Sequence, residues 1–162
     1  MKFFLLLFTL LMPVTALAES FSLYKRNGWV VEYVVRDSGL TWCALQKQNA
    51  EGHVYDITYH QSGNMRFYII FDFPDDNERT NVEFYLHFDA EVWKIPNGKL
   101  WGNMIYVDMD LTENQFSKFF TDMAHSNFVY MISKDRTRVI TSWPLVGSTK
   151  ALDALADCMQ KL

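Results

Sequence analysis

Apolar and polar residues alternate with a period of two over most of this chain, and the alternation marks out a series of short strands. Trp29, Val31, Tyr33 and Val35 interleave with Val30, Glu32, Val34 and Arg36, and the β-branched and aromatic content favours extended backbone over helix. Asp37-Ser38-Gly39 predicts a turn, Leu40 to Gln48 a second strand carrying Cys43, and Asn49 to Gly52 the next turn. A third strand, His53 to His60, sets His53, Tyr55, Ile57 and Tyr59 against Val54, Asp56, Thr58 and His60. Gln61 to Asn64 breaks it. Met65 to Asp72 follows, with Met65, Phe67, Ile69 and Phe71 opposite Arg66, Tyr68, Ile70 and Asp72. Phe73 to Asn81, combining Pro74 with Asp75, Asp76 and Glu78, reads as an exposed loop. Val82, Phe84, Leu86 and Phe88 then alternate with Glu83, Tyr85, His87 and Asp89, as expected of a half-buried strand. Glu91 to Ile95 and Lys99 to Asp108 flank Pro96-Asn97-Gly98, where the tolerance of Asn-Gly for positive φ predicts a tight hairpin.

After Asp110 the period changes. Thr112 to Gln115 has the form of a capping box, and Phe116, Phe119, Phe120 and Met123 fall at helical spacing, predicting a helix from about Glu113 to Ala124 with that stripe on the core. Phe128 to Lys134 and Thr137 to Trp143 return to strands around Asp135-Arg136, and Pro144 ends them. Ser148 is placed to cap a closing helix on which Ala151, Leu152, Leu155, Cys158 and Leu162 share a face. The expected fold is mainly β within the α+β class: an antiparallel β-sandwich or partly open barrel of about 8–10 strands, with one late inserted helix and a C-terminal helix.

The first residues change this picture. Lys2, the apolar run Phe3 to Met12 and the small-residue site Ala16-Leu17-Ala18 have the form of a cleaved signal peptide, with the cut between Ala18 and Glu19. The apolar run is shorter than the roughly 20 residues a membrane span requires, and no second such run follows, so no membrane anchor is expected. Residues 1–18 are thus read as leader and 19–162 as one domain, periplasmic or secreted. The formal net charge of −4 becomes more acidic once Lys2 is removed, which argues against nucleic acid as a partner. Cys43 and Cys158 are the only cysteines, and in an oxidising compartment they are expected to pair.

Candidate chemistry is sparse. His53 and His60 face opposite sides of one strand about 20 Å apart, while His87 and His125 stand alone, so the histidines do not form a metal site. Asp108 and Asp110 form a D-x-D before a helix, a weak metal or acid–base candidate, although carboxylates there also complement the helix N-terminus. No serine-nucleophile elbow, phosphate loop or cofactor motif is present, and no cofactor is expected. The aromatic residues are more suggestive: Tyr55, Tyr59, Tyr68 and Tyr85, with His87, are candidates for an exposed recognition face.

Trp29-Val30-Val31 opening a strand, a single cysteine in the next, Ile105-Tyr106-Val107-Asp108 before a helix, and Trp143-Pro144-Leu145-Val146-Gly147-Ser148 leading into Ala151-Leu152 and Cys158 together form a recognisable order of features. It resembles the invasion-associated locus B family. The resemblance implies a small exported bacterial β-sandwich with a disulfide between an early strand and the closing helix. It also implies an accessory role in the envelope or in contact with host cells, and it carries no catalytic residues. The expected function is accordingly that of a non-enzymatic module binding another protein. An alternative is an inhibitor or immunity protein that plugs a secreted hydrolase with the acidic loop of Asp75, Asp76 and Glu78. A further alternative is a metal-dependent hydrolase using Asp108 and Asp110.

Overall fold

In a computed structural model, which describes residues 18–72 and 79–162, the alternating segments form ten antiparallel strands in a single sheet. The expected leader, apart from Ala18, and the acidic loop bearing Asp75, Asp76 and Glu78 lie outside the described residues. In chain order the elements are β1 (Ala18–Arg26), β2 (Trp29–Arg36), β3 (Thr41–Gln48), β4 (Val54–His60), β5 (Met65–Ile70), β6 (Arg79–His87), β7 (Val92–Trp101), β8 (Met104–Met109), α1 (Glu113–His125), β9 (Phe128–Ser133), β10 (Val139–Pro144) and α2 (Ser148–Met159). Across the sheet the order is β1-β2-β3-β4-β5-β8-β7-β6-β9-β10. A meander of five strands is therefore followed across the sheet by β8, β7 and β6 in reverse order, and then by the β9–β10 hairpin.

The sheet folds over on itself around one core. The inward rows Trp29, Val31; Cys43, Leu45; Tyr55, Ile57; Phe67, Ile69; and Ile105, Val107 meet Phe84, Leu86, Val129, Met131 and Trp143 from the other half. Trp143 closes the fold: its ring lies 5.6 Å from that of Tyr55, and its Nε1 donates to the His53 carbonyl at 2.9 Å. Asn49 reinforces the closure by donating through Nδ2 to the Ser142 carbonyl at 2.9 Å. The fold expected from the periodicity, an open antiparallel β-sandwich with two helices, is the fold observed.

Both helices pack on the core side. Thr112 and Gln115 complete the reciprocal capping box of α1, which buries Phe119 and Met123. The helix runs one residue beyond the predicted end. In α2 the cap differs from expectation: Gly147 is the N-cap at φ 85°, and Ser148 is the first helical residue, buried rather than capping. A left-handed entry of this kind favours glycine. Cys158 joins Cys43 in a disulfide with a Cα–Cα distance of 6.0 Å, fastening α2 to β3.

Of the two Asn-Gly pairs, the one given no turn from the sequence makes the hairpin, and the one expected to turn does not. At Asn27-Gly28 both φ angles are positive, 54° and 75°, and Arg26 faces Trp29 across a two-residue hairpin. This is the type I′ pattern, and it adds β1, a strand the alternation alone leaves unmarked. At Asn97-Gly98 the hairpin expectation fails, because β7 runs straight through from Val92 to Trp101. A register shift between Val82 and Phe84 accommodates Pro96, and Gly98 is packed against both residues. The chain turns instead at Gly102, with φ 59°.

Candidate functional site

Strand register places a continuous set of side chains on the face away from the core. One row runs Gln46, Asp56, Tyr68, Tyr106, Lys99 and Asn81, across β3, β4, β5, β8, β7 and β6. The adjacent row runs Glu32, Ala44, Thr58, Arg66 and Asp108. Val34, Trp42 and His60 form a third, and Met104, Trp101 and Arg79 line the opposite flank. The helices leave this face open: α1 sets Phe116 against Tyr59 and Met123 against the Tyr55 hydroxyl, both on the core side.

Short side chains on the outer face are buried, namely Val34, Ala44, Asp56 and Thr58, while Trp42, His60, Arg66, Tyr68 and Tyr106 stand half-exposed around them. Cations and aromatic rings alternate over it. The Arg36 guanidinium lies 5.3 Å from the Trp42 ring, Arg66 lies 6.0 Å from Tyr68 and 5.8 Å from Tyr106, Lys99 lies 5.6 Å from Tyr106, and Arg79 lies 4.5 Å from Trp101. Such contacts hold long, mobile side chains in place over flat apolar surfaces.

Asp56 is the charged group most affected by this setting. It is 7% exposed, accepts from Gln46 Nε2 at 2.7 Å and from Thr58 Oγ1 at 3.1 Å, and lies near Glu32. Burial outweighs the two hydrogen bonds and pushes its carboxyl up to about 6, with the Glu32 charge adding to the rise. Arg66 donates to Asp108 at 2.6 Å and to the Tyr68 hydroxyl at 3.3 Å, and these bonds hold the guanidinium more firmly protonated. Burial, then the charge of Arg66, lowers the affinity of the nearby His60 for its proton.

The candidate residues do not assemble into one recognition face. Tyr55 is fully buried, its ring edge-on to Phe67 at 4.8 Å, and is corrected to a core residue. Tyr59 also lies on the core side, half-buried against Phe116. Tyr68 alone among them joins the aromatic–cationic rows. Tyr85 and His87 lie on the outer side of the other half of the sandwich, where Tyr85 is corrected from exposed to buried, covered by Arg136 at 4.2 Å, and half-buried His87 has Tyr130 at 6.4 Å. Asp108 is engaged by Arg66, and Asp110 lies beyond the end of β8. Among the described residues no three His, Cys, Asp or Glu side chains come together as metal ligands. Trp42, Arg66, Lys99, Trp101 and Tyr106 escape the sequence reading, because strand order brings them together.

This combination defines a class: a single-sheet β-sandwich, closed by one strand–helix disulfide, with an aromatic–basic face that neither helix covers. Its fold is similar to that in the crystal structure of invasion associated protein B from Bartonella henselae, with a TM-score of 0.51 and 13% sequence identity over 90% of this chain and 99% of that one. The resemblance read from the order of features along the chain thus holds at the level of fold. No family model matches the chain, and no curated protein matches its sequence.

Proposed function

We propose that this chain is an exported, non-enzymatic accessory module that binds another protein through its outer sheet face. The observation that carries the reading is the row of half-exposed aromatics and cations built across β3, β4, β5, β8 and β7 on the side the helices leave open. Aromatic and Arg side chains held rigidly at a surface are the residues that supply most binding energy at protein interfaces. Export is supported by the leader-like start and by the disulfide, which suits an oxidising compartment. A role in the envelope or at the host surface is supported by the fold shared with a protein described as invasion associated. The Arg66–Asp108 pair weighs against a metal-dependent hydrolase, since a cation already holds that carboxylate.

The test is capture from envelope and host-cell fractions by oxidised protein, compared between wild type and a Trp42→Ala/Tyr68→Ala variant of verified melting temperature. A saturable protein partner is expected, retained by His87→Ala and lost by the face variant. Capture unchanged in the face variant would overturn the assignment, as would hydrolytic activity abolished by Asp108→Asn.

A further inference from the structure

We infer that the β6–β7–β8 end of the outer face binds an acidic saccharide, an assignment that rests on this face being the recognition surface. Here the sheet forms a recess of about 150 Å³ lined by Arg79, Thr80, Asn81, Lys99, Leu100 and Tyr106. Arg79 pairs across strands with Trp101, Asn81 with Lys99, and Lys99 with Tyr106, so these side chains share one side of the sheet. The chain as a whole is acidic, and Arg66, Lys94 and Lys118 are ion-paired. Among the described residues Arg79 and Lys99 have no carboxylate within ion-pair distance. Two cations at one recess, without an ion partner among the described residues, supply charge complementarity for a carboxylate or sulfate.

The surroundings select the rest of the ligand. Trp101 is 46% exposed beneath Arg79, and Tyr106 lies between Arg66 and Lys99. Flat apolar rings edged by cations match a sugar ring that has an apolar C–H face and an attached anionic group. Asn81, Lys99 and Tyr106 sit on successive strands, about 4.8 Å apart, and so offer one contact per strand to an extended chain crossing the sheet. Nucleic acid fits less well. A duplex carries one charge per about 1.7 Å, whereas Asp108 and Glu32 stand on this same face among few cations.

The experiment is calorimetric titration of the oxidised protein with an oligogalacturonate hexamer, a heparin hexasaccharide and neutral maltohexaose. Binding of an acidic oligomer at least tenfold tighter than the neutral one is expected, weakening with salt. Arg79→Ala/Lys99→Ala should reduce that affinity at least tenfold and Trp101→Ala at least threefold, while Lys134→Ala/Arg138→Ala leaves it unchanged. The assignment falls if neither acidic oligomer binds, if the Arg79/Lys99 variant binds as wild type does, or if a single-stranded oligonucleotide or acidic peptide binds more tightly. Protein capture is scored separately on Trp42 and Tyr68, so a failed titration with capture intact removes this site alone.

Discussion

The disulfide offers the most quantitative test of how this fold is held. Cys43 and Cys158 are fully buried and 115 residues apart, so their bond closes most of the described chain into one loop. In the chain-entropy account, a loop of that length removes about 5 kcal/mol of freedom from the unfolded state. Replacing both cysteines by alanine avoids placing hydroxyls in the core, and each lost sulfur leaves a small void costing about 1 kcal/mol. Ala151 and Leu155 of α2 remain buried and keep the helix docked, so the double alanine variant should fold with an unchanged far-ultraviolet spectrum. Urea unfolding then reads the difference. With a slope of about 2 kcal/mol per molar, the midpoint should fall by about 3–4 M, and wild type treated with reductant, which keeps both sulfurs, should lose about 2–3 M. A fall below about 0.5 M would refute the reasoning, because the unfolded chain would then have to be almost as restricted without the bond as with it.

Two further outcomes follow from local geometry. Asp56, raised from an ordinary 3.8 to about 6 by burial, keeps its proton in the folded protein where the unfolded chain has lost it. Its stabilising contribution is complete below about pH 4 and is lost as the pH rises through about 6, a fall on the order of 3 kcal/mol. Asp56→Asn should abolish that fall and stabilise the protein at neutral pH; urea midpoints displaced equally at acid and neutral pH would contradict the buried carboxyl. At Gly98 a Cβ would lie 2.9 Å from Val82 Cγ2 and 3.1 Å from both Phe84 Cε1 and the Val82 carbonyl. Gly98→Ala should cost about 1–3 kcal/mol by overpacking, and an unaltered melting temperature would mean that β7 does not pass so close to β6.

The sequence by itself determined most local structure here. Period-two alternation marked seven of the strands in outline and the extended run from Glu91 to Asp108 without its turn, the Thr112–Gln115 box set the start of α1, and two lone cysteines left one possible pair. These signals are short-range: they depend on pleat, helical turn or count, each readable within a few residues or from composition. Tertiary structure decided which Asn-Gly turns the chain. The dipeptide permits positive φ at both places, yet only at residues 27–28 do the flanking segments pair with each other, while residues 97–98 are held along β6. Tertiary structure also decided which aromatics face outward. Alternation put Tyr55 and Tyr59 together and set Tyr68 against Phe67 and Ile69, but the identity of the buried side depended on Trp143 and the helices arriving from far along the chain. The outer rows are further from sequence still. Arg66 meets Asp108, and Tyr68 meets Tyr106, only because β8 rather than β6 lies beside β5, a choice of strand order that no local pattern records.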